Sequence, residues 1–181
     1  MAASGAIVGP VPAGLDPEEY DKLRRRVLWT MPYGLYVLGS TDTGERRNGM
    51  TINFVTQLSF DPKWIGVGVE QSAFTHELIE AGGCFSLNLI DREDRAIVRK
   101  FTKPVDVDLA ARTLNGFPYV ERVTGAPILA QSVAFLDCEV RDTMTVGEQT
   151  LFAGEVVDAG FLKPEDTPVL RMEDTRMNYG G

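Results

Sequence analysis

The stretch Asn48-Gly49-Met50-Thr51-Ile52-Asn53-Phe54-Val55-Thr56-Gln57-Leu58-Ser59-Phe60-Asp61-Pro62 decides how this chain is interpreted. It has the residue types of a β-strand, yet it carries more hydroxyl and amide side chains than an ordinary core strand. These polar residues are all uncharged: Thr51, Asn53, Thr56, Gln57 and Ser59. A few placed polar groups among apolar walls are typical of a cofactor pocket. The alternative is a half-buried strand whose polar residues face water, and the spacing alone does not decide between the two.

The composition predicts one globular domain without a nucleic-acid or membrane role. The chain has 181 residues, 44% of them hydrophobic, and a formal charge of -8 with no stripe of Lys and Arg. An acidic surface of this kind does not match a phosphate backbone. The sequence also lacks the run of about 18 apolar residues that a transmembrane helix requires. Residues 1–15, rich in Ala, Gly and Pro, are expected to form a flexible N-terminal arm, and residues 16–181 the folded domain.

The cysteines and the histidine argue against disulfide and metal chemistry. Cys84 and Cys138 lie in apolar, strand-like runs, which predicts buried structural thiols and a cytoplasmic location. His76 is the only histidine, so a His/Cys metal site is not expected. We expect His76 to be a surface or interface residue, with a catalytic base as the alternative.

Residue patterns predict a fold in which strands outnumber helices. Asp16 and Pro17 have the cap and first-turn chemistry of a helix that runs to Met31. A hairpin should join Tyr33–Ser40 to the polar stretch quoted above. Further strands are expected at residues 64–70, 84–90, 119–123, 133–145, 150–159 and 168–172. No glycine-rich nucleotide-binding loop follows a strand, so an antiparallel barrel with a few peripheral helices is favoured over a Rossmann or P-loop fold.

Two segments are candidates for a phosphate-binding site. Ser72 is predicted to cap a short helix over residues 72–83, and the free N–H groups at a helix N-terminus suit a phosphate. A second helix over residues 91–103 is rich in Arg and Lys, which fits either a phosphate contact or a solvated face. Gly66 and Gly68 alternate on the preceding strand, which indicates either a ligand close to that face or tight packing against a neighbouring element.

Taken together, these segments resemble the flavin reductase-like proteins, which have an FMN-binding split β-barrel that is mainly β with peripheral helices. The resemblance covers roughly residues 27–172. It is carried by residues 33–38, 48–62, 68–75, 85–88 and 147–156, read as YGLYVL, NGMTINFVTQLSFDP, GVEQSAFT, FSLN and GEQTLFAGEV.

The resemblance implies a homodimer that binds FMN near its subunit interface, with FAD as a possible flavin. NADH or NADPH would be the electron donor. The flavin would carry the chemistry, so neither a catalytic side chain nor a metal ligand is predicted. The implied cofactor-binding residues are Thr51, Asn53, Phe54, Val55, Thr56, Glu70, Gln71, Ser72 and Thr75.

Two positions depart from the family pattern. Gln149 stands where many members have a histidine that is linked to handling of the nicotinamide. Phe54 stands where a serine is common, which makes the flavin side of the strand bulkier and more apolar. The first departure leaves flavin binding intact but questions efficient oxidation of NAD(P)H.

Three functional hypotheses follow. The first is an oxidoreductase that passes electrons from NAD(P)H through FMN to free flavin or another acceptor, with a monooxygenase or redox protein as a possible partner. The second is an FMN-bound electron carrier that a partner protein reduces. The third is a barrel that binds another planar ligand or only assembles with partners.

Overall fold

The computed structural model describes residues 9–177, so residues 1–8 of the expected N-terminal arm lie outside the described part. Helix α1, Pro17–Leu28, begins as predicted, because the Asp16 side chain accepts a hydrogen bond from the Glu19 backbone N–H at 3.0 Å. It ends at Leu28 rather than at Met31. No residue of α1 is buried, so the helix lies on the periphery of the molecule.

A seven-stranded antiparallel sheet forms the body of the protein. Within residues 9–177, helix α2, four short strands and three 3-10 turns are the other regular elements. In chain order the elements after α1 are β1 Tyr36–Thr41, β2 Arg47–Ile52, β3 Val55–Phe60, β4 Lys63–Glu70, α2 Phe74–Gly82, β5 Cys84–Leu89, β6 Val107–Asp108, β7 Thr113–Leu114, β8 Phe117–Val120, β9 Ile128–Leu129, β10 Ala134–Val146 and β11 Gln149–Phe161. The large sheet has the order β2-β1-β5-β10-β11-β4-β3.

The polar stretch of the sequence is two strands, not the single strand that was predicted. β2 pairs with β1 at one edge of the sheet, whereas β3 pairs with β4 at the opposite edge. Only Asn53 and Phe54 separate the two strands, and a chain reaches at most about 3.5 Å per residue. The sheet must therefore curl until its two edges approach within roughly 10 Å. β2 and β3 do not pair within residues 9–177, so the sheet is strongly curled but not closed.

Three predicted elements differ from the observed ones. Residues 91–103 form two tight 3-10 turns, Arg92–Asp94 and Ile97–Phe101, instead of one helix. Residues 168–172 make only isolated bridges to Gly34 and Asp91, so they are not a strand. Residues 107–129, which follow the two 3-10 turns, contain a small four-stranded sheet with the order β6-β7-β8-β9. The sequence predicted only one strand in this region, near β8.

Two apolar clusters pack on the two faces of the large sheet. Consecutive strand residues point to opposite faces, and accordingly Val37 joins one cluster while Leu38 joins the other. Cys84 and Cys138 are free and buried, as predicted, and burial raises the pKa of Cys138 to about 12. Such a thiol stays protonated and unreactive. Among residues 9–177 no helix is both long enough and apolar enough to cross a membrane.

Candidate functional site

A cavity of about 590 Å³ opens between β2, the start of α2 and the segment that follows the second 3-10 turn; we call it the central cavity. Its size lies within the range of small-molecule sites. Its lining residues are Leu35, Asn48, Gly49, Met50, Thr51, Ile52, Asn53, Ala73, Phe74, Thr75, Phe101, Thr102, Lys103, Pro104, Val105, Met172 and Met177. Most are apolar. The polar ones are Asn48 and Thr51 on β2, Asn53 just after it, Thr75 at the start of α2, and Thr102 and Lys103 after the second 3-10 turn.

Asn53 is the most informative residue of the central cavity. It follows the last residue of β2 and is only 2% exposed. Within residues 9–177, neither its amide nitrogen nor its amide oxygen has a hydrogen-bond partner. An unpaired buried amide costs on the order of 1–3 kcal/mol, so such a group usually has a ligand or an ordered water as its partner.

Two hydrogen bonds fix the walls of the central cavity to one another. The Thr51 hydroxyl donates to the Val98 carbonyl at 2.5 Å and thereby ties β2 to the second 3-10 turn. The Asn48 amide donates to the Thr75 hydroxyl at 2.8 Å and ties β2 to α2. Because that hydroxyl accepts this bond, its own hydrogen can still be donated to a ligand.

Gly49 is the position at which Phe101 packs closely against β2 in the central cavity. A Cβ atom at this position would lie 2.7 Å from the ring of Phe101, a distance that side chains do not tolerate. Glycine therefore allows the Phe101 ring to lie directly on β2, where it lines the central cavity beside Met50.

The N-terminus of α2 faces the central cavity, but Ser72 does not cap it. The residue at the cap position is Ala73, and no side chain bonds there; the Ser72 hydroxyl donates instead to the Glu70 carboxylate at 2.6 Å. The serine lies one position too early, because the chain after β4 turns through residues 71–73 before the helix starts. The backbone N–H groups of Phe74 and Thr75 belong to the first turn, where an α-helix supplies no intrahelical acceptors.

The charge of the central cavity favours an anion. Among residues 9–177, Lys103 is the one cationic residue that lines it and no carboxylate does, although the chain carries a formal charge of -8. Lys103 is the last residue of the 91–103 segment, whose basic character the sequence indicated. A lysine and a helix N-terminus at the same cavity form a combination that suits a phosphate group.

A second cavity, of about 390 Å³, lies at β3, β4 and β11; we call it the outer cavity. It is lined by Tyr33, Phe54, Val55, Thr56, Gly66, Gly68, Val146, Gln149 and Leu151. A Cβ atom on Gly68 would lie 3.2 Å from the Phe54 Cβ, and one on Gly66 would lie 3.0 Å from Leu58. The two glycines therefore allow tight packing against neighbouring side chains, which was one of the two readings of their alternation.

The predicted cofactor residues divide between these two cavities. Thr51, Asn53 and Thr75 line the central cavity, whereas Phe54, Val55 and Thr56 line the outer one. Glu70, Gln71 and Ser72 line neither. The break between β2 and β3 causes this division, because Asn53 and Phe54 point into different cavities from adjacent positions.

Gln149, which replaces the family histidine, lies in the outer cavity at the start of β11. Its backbone carbonyl accepts a weak hydrogen bond from the Gln71 side chain at 3.5 Å. The substitution therefore changes the chemistry of the outer cavity and leaves the lining of the central cavity unaltered.

His76 is not the surface or interface residue that the sequence predicted. The residue is 6% exposed, its Nε2 atom lies 2.7 Å from the Thr150 hydroxyl, and its ring packs edge-on against Phe152 with the ring centroids 5.1 Å apart. It lies on the first turns of α2 but lines neither cavity. These contacts give His76 a packing role. Among residues 9–177 no cluster of three or more His, Cys, Asp and Glu side chains could hold a metal ion.

A third cavity, of about 440 Å³, adjoins the central one, and we call it the lateral cavity. It is lined by Trp29, Thr30, Met31, Pro32, Tyr33, Gly34, Arg171, Met172, Glu173, Thr175 and Met177. Met172 and Met177 form a wall common to both cavities.

Several lining residues of the central cavity were not predicted as site residues. Asn48 and Gly49 lie within the quoted stretch, and Lys103 ends the basic run, so the sequence carried a signal for all three. Met172 and Met177 had no such signal, because only the folding of the C-terminal segment back onto Leu35 brings them to this cavity.

Comparison with known proteins agrees with this architecture. The chain is 32% identical over 141 residues to the high molecular weight rubredoxin of Moorella thermoacetica, and the match covers 76% of this chain and 59% of that protein. It is 30% identical over 160 residues to the NADH-dependent FAD reductase of Streptomyces globisporus, covering 84% of this chain and 82% of the relative.

Solved structures of flavin reductases superpose on this chain. The NADH:FAD oxidoreductase of Streptomyces globisporus C-1027 superposes with a TM-score of 0.69 at 28% identity, covering 84% of this chain and 89% of that one. The styrene monooxygenase flavin reductase of Pseudomonas putida S12 superposes with a TM-score of 0.66 at 28% identity, covering 78% and 86%. The sequence profile of the flavin reductase like domain matches residues 28–180. The chain therefore belongs to the flavin reductase like family.

Proposed function

We propose that this protein is a flavin-dependent NAD(P)H oxidoreductase that holds FMN in the central cavity and delivers electrons to free flavin or another acceptor. The observation that carries the proposal is the buried, unpaired amide of Asn53 on the wall of that cavity. An isoalloxazine edge presents both hydrogen-bond donors and acceptors, and an asparagine side chain offers the complementary pair.

The rest of the cavity fits the other parts of such a ligand. Met50, Ile52 and Phe101 provide apolar surface for a planar ring system. The N–H groups of Phe74 and Thr75 and the ammonium of Lys103 provide a site for the ribityl phosphate. Ser72, the earlier candidate for this phosphate, remains a prediction, since its hydroxyl bonds Glu70 and it does not line the cavity.

The protein's own residues position and shield rather than react. A bound flavin would supply the capacity to accept a hydride from a nicotinamide and to pass electrons onward. Asn53 would fix the orientation of the ring, while the Thr51 bond to Val98 and the Asn48 bond to Thr75 hold the walls at a constant separation. Of the groups that line the cavity, none is required as a general acid or base for hydride transfer.

The second hypothesis, an electron carrier that a partner protein reduces, is less well supported. Its basis was the replacement of the family histidine by Gln149, and this residue lies in the outer cavity, away from the lining of the central one. The two Streptomyces globisporus reductases named above use NADH, which favours direct oxidation of a nicotinamide. A monooxygenase is a suitable acceptor partner, because one similar structure is a styrene monooxygenase flavin reductase.

The proposal includes a homodimer in the cytoplasm. The dimer is supported by exposed apolar side chains on the outer face of the sheet, among them Leu58, Met144 and Val146. The cytoplasmic location is supported by the two free buried cysteines, which are typical of a reducing compartment.

Absorption spectroscopy of the purified protein tests the proposed function. We expect it to bind added FMN with the shifted visible bands of a bound flavin, and to lose those bands when NADH or NADPH is added without oxygen. Bands that persist with both nucleotides but disappear with a reduced redox protein would support the electron carrier instead. Failure to bind either FMN or FAD would contradict both hypotheses.

A further inference from the structure

A group of exposed cations lies at the rim of the central cavity, and we call it the basic patch. Its members are Arg95, Arg99, Lys100 and Lys103, all of them exposed to solvent. Within residues 9–177 none of the four forms an ion pair, whereas Arg92 at the start of the same segment pairs with Asp174 at 3.1 Å. The chain as a whole carries a formal charge of -8. The patch is therefore a local positive surface on an acidic protein.

The backbone beneath the basic patch is well anchored. The second 3-10 turn buries its three apolar side chains in one of the two apolar clusters: Ile97, Val98 and Phe101. Arg99 and Lys100, between these buried residues, remain exposed. The Asn115 amide donates to the Lys100 carbonyl at 2.8 Å and fixes the backbone of the turn. A partner that binds cations on such a fixed backbone has less chain to order, which favours recognition.

Most of the basic patch lies outside the three cavities. Lys103 lines the central cavity, which places the patch at its rim. Arg95, Arg99 and Lys100 line none of the cavities. A ligand enclosed in the central cavity can use the ammonium of Lys103, but the other three cations face away from it into solvent. These three are available to a larger partner that covers the rim.

Charge and position together indicate the kind of partner. We propose that the basic patch docks an acidic electron-transfer protein, which accepts electrons from a flavin in the central cavity. This inference rests on the proposed function, because it names the class of acceptor for that flavin. A membrane or a nucleic acid would also present its extended anionic surface to the acidic remainder of the chain, whereas a small protein can bring one acidic area to the patch alone. Complementary charges of this kind raise association rates by about 10- to 1,000-fold at low salt.

Binding of fluorophore-labelled flavodoxin, a small acidic electron-transfer protein, tests the docking surface in both FMN-loaded and flavin-free protein. Fluorescence anisotropy should show an affinity that falls at least about tenfold between about 20 and about 200 mM salt. Arg99→Glu, and Arg95→Gln combined with Lys100→Gln, should each weaken binding at low salt by at least about fivefold. Lys63→Glu is the matched control, because it changes the net charge by the same amount at an exposed lysine about 23 Å along β4 from the end that leads to α2. Its affinity should stay within about twofold of the parent.

Stopped-flow reduction of oxidised flavodoxin by dithionite-reduced, FMN-loaded protein measures electron transfer through the same surface. Each reduced FMN releases two electrons and two protons, and two flavodoxins take up one of each. The rate at low salt should fall in Arg99→Glu in parallel with binding. Reduction of menadione, an uncharged acceptor that needs no docking surface, should stay within about twofold of the parent in every variant.

Equal losses of flavodoxin binding in Arg99→Glu and Lys63→Glu would overturn the proposal, because net charge rather than the patch would then be responsible. Binding without salt dependence, or no binding, would overturn it as well. Salt-dependent binding to phosphatidylglycerol vesicles that Arg99→Glu abolishes, without binding of flavodoxin, would assign the patch to a membrane instead. Failure of the parent protein to bind FMN would contradict the proposed function, whereas the anisotropy of flavin-free protein still decides whether the docking surface exists.

Discussion

At the scale of single residues, the chain contains two buried asparagines with opposite hydrogen-bond states. Asn88 on β5 is fully paired: it donates to the Val37 carbonyl at 3.0 Å and accepts from the Leu129 N–H at 2.8 Å. Asn53 is buried to a similar extent but has no partner in the described part of the chain. The first amide stabilises the fold, whereas the second is available for a ligand and reduces the stability of the protein without one.

This contrast gives the first prediction. Asn53→Leu should raise the free energy of unfolding of flavin-free protein by about 1 kcal/mol, because it removes an unpaired buried amide with little change in volume. The same variant should bind FMN at least about tenfold more weakly, because the flavin loses a hydrogen-bonding partner. Chemical denaturation and flavin fluorescence titration measure the two effects.

Asn88→Leu is the control for that experiment. It should lower the free energy of unfolding by roughly 2 kcal/mol or more, because the Val37 carbonyl and the Leu129 N–H lose their partner in a buried site. If Asn53→Leu also destabilised the flavin-free protein, Asn53 would be a structural amide and the central cavity would have to bind its ligand through other groups.

The scale of elements shows which parts of the site the sequence could predict. Uncharged amides and hydroxyls are unusual in a strand, and on this basis the stretch from Asn48 was predicted to form a cofactor pocket; in the structure Asn48, Thr51 and Asn53 line the central cavity. The break at Asn53 and Phe54 was not predictable, since it depends on which strands pair at the two edges of the sheet. The same limit applies to α2: Ser72 has good capping chemistry, but the turn after β4 places Ala73 at the cap position.

Helix α2 therefore offers a matched pair of substitutions for locating the phosphate. Ala73 has the extended backbone of a cap residue, φ -76° and ψ 139°, without a capping side chain. Both Ala73→Ser and Ala73→Asp should raise the free energy of unfolding of flavin-free protein by about 1 kcal/mol, because both supply the missing cap. Only the aspartate adds a negative charge beside the N–H groups of Phe74 and Thr75.

We expect FMN affinity to stay within about threefold for Ala73→Ser and to fall by at least about tenfold for Ala73→Asp, most strongly at low ionic strength. Riboflavin, which lacks the phosphate, should bind both variants alike. Equal loss of FMN affinity in the two variants would mean that the side-chain volume matters rather than the charge, and the phosphate would then be assigned to Lys103 without the helix.

At the scale of the whole molecule, composition and strand patterns were sufficient to predict a mainly antiparallel β fold with peripheral helices. They were not sufficient for the small sheet β6–β9, whose strands have two to four residues and follow loop-like sequence. They also did not reveal the continuity of the three cavities. That continuity depends on Tyr33, Met172 and Met177, which are distant in sequence and come together only in the folded chain.

The curled sheet also leaves one apolar surface exposed, and this surface carries the last prediction. Leu58 on β3 and Met144 and Val146 on β10 lie around the glycines of β4, on the face of the sheet opposite the apolar cluster that contains Val67 and Phe152. Met144 is 56% and Val146 50% exposed. An apolar area of this kind on a sheet is typical of a subunit interface, for which about 800 Å² per partner is usual.

Light scattering after size-exclusion chromatography should accordingly give a mass of about 40 kDa, twice the 19.9 kDa of one chain. The double substitution Met144→Asp and Val146→Asp should shift the protein to a monomer, because two carboxylates would be buried without partners. Val123→Asp, at another exposed valine, should remain dimeric.

If the flavin lies near the interface, the monomeric variant should also bind FMN at least about tenfold more weakly. A parent protein that is already a monomer would contradict the dimer, and a dimer that survives the double substitution would move the interface elsewhere, for which the exposed apolar face of α1 is the next candidate.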